Sequence, residues 1–185
     1  MKSPMNVDPK VLKEVLIDEP TLRARVAELG EQISCDYANT PDLLLICVLK
    51  GGVVFLTDLM RHIHIPHSID FMGVSSYGAN VREASGVVRI DYDLRQEVAG
   101  RTLLIVEDIV DSGYTLAYIR RLLEAREPAS IRICALLSKP SRRKIDLEID
   151  YVGFEIADKF VFGYGLDLDE KYRNLPFIGV AQTGD

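Results

Sequence analysis

The chain has 185 residues, with 22 Lys and Arg against 28 Asp and Glu, for a formal charge of −6 at pH 7. Its 48% hydrophobic and 27% charged content suits one packed core with appendages and excludes intrinsic disorder, collagen repeats and miniprotein scaffolds. The negative balance also argues against non-specific nucleic-acid binding, while leaving room for a small phosphorylated ligand held by backbone N–H groups, a divalent cation and a few placed bases.

Residues 8–38 predict two helices at the surface, separated by Asp18-Glu19-Pro20. The second has Thr21 as N-cap and Leu22, Val26, Leu29 and Ile33 at helical spacing. Leu43 to Leu49 is an almost continuous apolar run, as expected of a strand covered on both faces. Lys50-Gly51-Gly52 ends it, and Val53 to Ile63 continues as a helix. Ser68 to Val74 predicts a strand, Ser75 to Gly86 a polar loop, and Val87 to Asp91 a strand by alternation. Leu103 to Val106, the helix Tyr114 to Ala125 and the strand Ile131 to Leu137 complete an alternation that implies an α/β fold with a mainly parallel sheet and crossover helices. Beyond Pro140 the pattern shortens to Tyr151–Ile156 and Phe160–Val161, a Gly163-Tyr164-Gly165 turn and a tail with Pro176. With no repeat or flexible linker, residues 1–185 are expected to form a single domain, with a core at about 40–140 and a small second lobe.

No run approaches the roughly 20 apolar residues of a membrane helix, and MKSPMNVDPKVLKEVL lacks a hydrophobic signal segment, so a cytoplasmic protein without membrane contact is expected. Cys35, Cys47 and Cys134 form no C-x-x-C pair. Cys47 and Cys134 lie in apolar runs, as buried free thiols do in a reducing compartment. His62, His64 and His67 alternate, but no carboxylate or Cys nearby completes a metal set. Arg142-Arg143-Lys144 reads as a solvated turn.

The most informative segment is Leu103 to Thr115, LLIVEDIVDSGYT. It places Glu107, Asp108 and Asp111 at the C-terminal end of a central strand, where open α/β sheets bind ligands. Buried carboxylates need partners, and hydroxyls or a metal would supply them. Asp111-Ser112-Gly113-Tyr114-Thr115 adds a Gly that permits close backbone approach, two hydroxyls and the free N–H groups of a helix start, together an anion cradle. Acids for hydroxyls beside a cradle for phosphate describe a site for a ribose 5-phosphate.

This segment resembles the phosphoribosyl-pyrophosphate signature of the type I phosphoribosyltransferases. CVLKGGVVFLTDL (Cys47–Leu59), DFMGVSSYG (Asp70–Gly78) and VGFEIADKFVFGYGLDLDEKYRNLPFIGV (Val152–Val180) narrow the resemblance to the hypoxanthine(-guanine) phosphoribosyltransferases. The likeness covers nearly everything from Asp42 to Val180. It implies the type I phosphoribosyltransferase fold: a central, mainly parallel sheet flanked by helices, with a hood built from the N-terminal helices and about 141–185.

The resemblance also implies roles. Glu107 and Asp108 would hold the ribose hydroxyls, and Asp111, Ser112, Gly113, Tyr114 and Thr115 the 5-phosphate. Asp111 would further face the purine N7 as catalytic base or proton acceptor, although as a residue it also suits a helix N-cap. Lys50 and Gly51 resemble the loop whose amides meet the diphosphate after an unusual Leu-Lys peptide bond, and Arg173 the arginine that binds the leaving anion. Asp167 matches a residue of the purine site that also contacts metal, and Mg2+ would use Asp167, Glu107 and Asp108 together with substrate oxygens. Lys139 would contact the purine 6-oxo group, Phe160 stack on the base and the Val161 backbone read its edge. Ser76 and Tyr77 would belong to a lid that keeps water from the oxocarbenium-like centre. Phe162 departs from the family, where a smaller aliphatic residue is expected beside the purine pocket.

The implied activity is purine salvage: phosphoribosyl transfer from phosphoribosyl pyrophosphate to hypoxanthine and guanine, by a homodimer or homotetramer. The rival readings are a phosphoribosyl-pyrophosphate-binding regulator without turnover, against which the lack of a basic stripe counts, and a transferase for xanthine or another base.

Overall fold

The computed structural model describes residues 7–8, 10–76 and 88–182. In chain order its elements are β1 (Leu12–Ile17), α1 (Glu19–Asp36), β2 (Leu43–Leu49), α2 (Gly52–Leu59), β3 (His67–Ser76), β4 (Val88–Tyr92), β5 (Thr102–Val110), α3 (Tyr114–Glu124), β6 (Ser130–Ser138), β7 (Tyr151–Glu155), β8 (Val161–Phe162) and β9 (Ile178–Ala181). Short 3-10 turns occupy Met60–His62 and Pro140–Arg142.

The apolar run of β2 is buried on both faces. Leu43, Leu45 and Cys47 enter one core layer, with Leu22 and Leu29 of α1 and Phe55 and Leu56 of α2. Leu44, Ile46 and Val48 enter the other, with Leu116, Ile119 and Leu123 of α3. A strand with two apolar faces belongs inside a sheet covered by helices on both sides. Accordingly β2 is internal to a six-stranded sheet of order β4-β3-β2-β5-β6-β7, parallel from β3 to β7, with β4 added antiparallel at the edge. The expected α/β architecture is therefore present. A second, antiparallel sheet of order β1-β9-β8 forms a small lobe over the C-terminal strand ends.

Two expectations about the N-terminal segment fail. Residues 12–17 are a strand, not a helix: LKEVLI pairs antiparallel with β9, Leu12 opposite Ala181 and Ile17 opposite Ile178. Its partner lies more than 160 residues away, and that long-range pairing overrides local propensity. The cap of α1 is Asp18, whose side chain accepts from the Thr21 N–H at 2.9 Å, with Pro20 in the first turn where its missing N–H costs nothing. The N-terminal part of the small lobe is therefore β1, while α1 packs on the large sheet. In the same way β7, beyond residue 140, joins the large sheet.

Cys47 and Cys134 are buried and free, whereas Cys35 is exposed. No helix among the described residues is long and apolar enough to cross a membrane.

Candidate active site

Strand β5 runs through the acidic dipeptide instead of stopping before it: Glu107 pairs with Ala135 and Val110 with Ser138 of β6. Glu107 Oε2 is buried without a hydrogen-bond partner, and Asp108 is 8% exposed, with Oδ1 accepting from the Ile109 N–H at 2.7 Å. Burial pushes the Glu107 carboxyl well above the ordinary carboxylate range, and the Asp108 charge adds to the effect. Burial also raises the Asp108 carboxyl, and its contact with Glu107 opposes that rise. Next to them the Cys47 thiol is pushed up to about 12, by burial first and then by the two acids, which makes it an inert core group.

The turn after β2 lies directly on this pair. The Leu49–Lys50 peptide bond is cis, and a Cβ at Gly51 would run into the Asp108 carboxylate. Only glycine admits that approach, which brings the Lys50-Gly51 amides beside the acids. From the small lobe, a Cβ at Gly165 (φ +100°) would meet the Gly51 carbonyl oxygen.

Beyond Val110 the chain turns through Asp111-Ser112-Gly113 into α3. The N-cap is Gly113, at φ 89°, without a side-chain cap, so neither Asp111 nor Ser112 serves as one. Asp111, Ser112, Gly113 and Thr115 line a cavity of about 120 Å³ together with Glu107. Tyr114 opens α3 and is not among its lining residues. Asp111 and Ile109 also line a larger cavity of about 540 Å³, within the range of small-molecule sites, with Lys139, Phe160, Val161 and Asp167. Lys139 follows β6 and is 6% exposed, while Phe160 lies open at 55%. Val161 and Phe162 alternate across β8: Val161 faces the cavity, whereas Phe162 is fully buried with Leu175 and Phe177, its ring 5.5 Å from that of Tyr172. The expectation that Phe162 stands beside the pocket is thus corrected by the two-residue period of the strand.

At the rim, Arg173 Nη1 donates to the Gly165 carbonyl at 2.8 Å and Nη2 pairs with Asp167 Oδ1 at 2.8 Å. Glu170 bridges Lys50 Nζ at 2.9 Å and Arg173 Nη2 at 3.4 Å, and its own N–H donates to Asp167 Oδ2 at 2.9 Å. Of the five described non-glycine residues with positive φ, four (Tyr164, Asp169, Glu170 and Tyr172) lie in this segment and the fifth, Glu127, follows α3, a concentration of strain characteristic of functional sites.

The structure therefore brings together Glu107, Asp108, Asp111, Ser112, Gly113, Thr115, Lys50, Gly51, Lys139, Phe160, Val161, Asp167 and Arg173. Ser76 ends β3, and Tyr77 lies outside the described residues. Sequence reasoning missed Glu170, Asp158 and Arg142. Arg142, read as part of a solvated turn, donates from Nε to Asp111 Oδ1 at 2.8 Å and from Nη1 to Asp158 Oδ2 at 3.2 Å. The only signal was a charge run, which does not reveal partners elsewhere in the chain.

Acids beside a close-approach turn, a small anion cradle and a larger pocket sharing one wall define a site of the phosphoribosyltransferase class. A family model described as phosphoribosyl transferase domain matches residues 14–171. The chain is 52% identical to a hypoxanthine-guanine phosphoribosyltransferase of Mycobacterium tuberculosis, over 92% of this chain and 87% of that one. It is 46% identical to a hypoxanthine phosphoribosyltransferase of Escherichia coli, over 90% of this chain and 93% of that one. A crystal structure of a hypoxanthine phosphoribosyltransferase from Staphylococcus aureus is similar with TM-score 0.90 and 46% identity, covering 98% of this chain and 96% of that chain. The chain belongs to the hypoxanthine(-guanine) phosphoribosyltransferase family.

Proposed function

We propose that this protein transfers the 5-phosphoribosyl group from phosphoribosyl pyrophosphate to N9 of hypoxanthine and of guanine, releasing pyrophosphate, as a cytoplasmic homodimer or homotetramer. The observation that carries this reading is the meeting of the two cavities at Ile109 and Asp111: a small cavity at the start of α3 lies beside a larger pocket and shares a wall with it.

In this reading the 5-phosphate lies on the Asp111–Thr115 turn, held by hydroxyls and the first N–H groups of α3. Glu107 and Asp108 take the ribose hydroxyls, which gives Glu107 Oε2 the hydrogen-bond partner it lacks. Phe160, exposed in the free protein, gains a stacking partner in the base. Lys139 donates to the 6-oxo group and Asp111 takes the proton from N7 as N9 attacks, so that the new C–N bond forms while the bond to pyrophosphate breaks with its electron pair. Lys50, the Gly51 amide region and Arg173 receive the leaving anion. The same carboxylates stabilise the positive ribosyl centre as it develops.

The residues present suit Mg2+. No cluster of three or more His, Cys, Asp or Glu that could hold a metal is found among the described residues, but Mg2+ ordinarily takes only one or two carboxylates and completes its shell with substrate and water oxygens. The orphaned Glu107 Oε2, Asp108 and Asp167 are the donors that would hold it, and when bound it would neutralise diphosphate charge.

The test is nucleotide formation from phosphoribosyl pyrophosphate and Mg2+ with hypoxanthine, guanine, xanthine, adenine and uracil in parallel, beside Asp111→Ala. Turnover confined to hypoxanthine and guanine and lost in the variant is expected. Binding of phosphoribosyl pyrophosphate without turnover of any base would overturn the reading, and size-exclusion chromatography with light scattering tests the assembly.

A further inference from the structure

Two oppositely charged side chains, Lys139 and Asp111, line the same cavity. Lys139 is almost wholly buried, and a buried ammonium seeks a carboxylate. Left to themselves, the two would be drawn together across the space where a base must lie. In this structure each has another partner. Lys139 Nζ points to Asp158 Oδ1 at 3.5 Å, the second oxygen of Asp158 accepts from Arg142 Nη1 at 3.2 Å, and Arg142 Nε donates to Asp111 Oδ1 at 2.8 Å. The four charges alternate in sign, with the outer two at the cavity and the inner two absent from its lining.

The arrangement ties three separate elements. Asp111 follows β5, Lys139 precedes and Arg142 ends the 3-10 turn after β6, and Asp158 lies in the turn between β7 and β8. Backbone bonds fix the frame: Lys139 N–H to Val110 O at 2.9 Å, Lys144 N–H to Ser112 O at 3.0 Å and Ile156 N–H to Ser138 O at 2.9 Å. Arg142, Asp111 and Asp158 are each 42–50% exposed, so these ion pairs add little to stability, and their distribution calls for another account.

We propose that Asp158 and Arg142 are positioning residues for base recognition: as counter-ions outside the cavity, they keep Lys139 and Asp111 from pairing with each other and hold them at the spacing of a purine's adjacent 6-oxo acceptor and N7–H donor. A 6-aminopurine offers Lys139 a donor instead, so fixing the two charges is what turns them into a test of the base. The inference rests on the function proposed above and extends it to two residues that touch neither substrate.

The experiment compares Arg142→Ala, Arg142→Lys, Asp158→Asn and the Arg142→Ala/Asp158→Asn double variant with the parent protein, by steady-state kinetics for hypoxanthine, adenine and phosphoribosyl pyrophosphate and by thermal melting. Expected is a rise of about tenfold or more in the KM for hypoxanthine, as for loss of a charged hydrogen bond, with the KM for phosphoribosyl pyrophosphate and the melting temperature little changed. The hypoxanthine-to-adenine preference should narrow, Arg142→Lys should recover part of the loss, and the double variant should be less impaired than the product of the single effects. Variants that leave the hypoxanthine KM within twofold would overturn the inference, as would equal losses for both substrates accompanied by a lowered melting temperature. Absence of 6-oxopurine turnover in the parent would overturn the underlying function instead, so the two failures are distinguishable.

Discussion

Gly165 and Gly51, one in the small lobe and one in the turn after β2, touch so closely that the Gly51 carbonyl oxygen occupies the space a Cβ of Gly165 would need. Gly165 also has φ +100°, a conformation that strains any other residue. Gly165→Ala is therefore expected to displace the Lys50-Gly51 turn, raising the KM for phosphoribosyl pyrophosphate by at least about tenfold and costing about 1–3 kcal/mol of stability. Kinetics and denaturant titration check it; an unaltered KM would show that the lobe does not set the turn.

Glu170 pairs with Lys50 and, at a longer distance than Asp167, with Arg173, the two cations proposed to receive the diphosphate. Its carboxylate must give way before an anion can take both. Both the Lys50 and Glu170 side chains are more than 60% exposed, so the competition is weak and screened by salt. Glu170→Gln should tighten inhibition by pyrophosphate by about two- to fivefold at low ionic strength, with the gain shrinking in salt. Weakened inhibition would instead make Glu170 a contributor to the diphosphate site.

The buried acids give the ligand-free protein a pH dependence of definite sign. Glu107 has a folded pKa raised above its unfolded value, so its neutral form favours folding at low pH, and that contribution is lost as pH rises from the ordinary carboxylate range through the raised value. Glu107→Gln should abolish turnover yet melt higher than the parent near neutral pH, by about 2–4 °C for each kcal/mol relieved, with the advantage fading toward pH 4. Thermal melts across pH test this, and a variant that melts lower throughout would contradict it.

Phe162 fills the lobe's core, not the base pocket. Phe162→Val is expected to lower stability by about 2–3 kcal/mol through the cavity it leaves, while the ratio of hypoxanthine to guanine kcat/KM stays within twofold. A shifted ratio with little loss of stability would return Phe162 to the pocket wall.

These residues show what the sequence made legible. The large sheet could be read from Leu43–Leu49 and Leu103–Val106 because a two-sided apolar strand is a local pattern, and the acids of LLIVEDIVDSGYT could be placed because strand ends locate ligands. β1 could not be read, because its strand character comes from a partner near residue 180. The Thr21 cap failed for a smaller reason: Asp18, three residues earlier, supplies the acceptor. Arg142, Asp158 and Glu170 stayed hidden because an ion pair between distant turns leaves no periodicity. Phe162 misled because membership of a motif does not say which face of a two-residue strand a side chain takes.

The antiparallel sheet β1-β9-β8 has a temporal consequence. The Phe160 carbonyl accepts from the Ala181 N–H at 2.9 Å, and Val161 pairs with Val180, so the proposed platform for the base is anchored by the last described strand, which in turn pairs with the first. On the ribosome, the strands that carry Glu107, Asp108 and Lys139 emerge and can collapse while β1 still waits for its partner. In the proposed reading, the turn for the sugar phosphate can thus be built before the shelf for the base, and the choice of purine waits on the pairing of β9 with β8.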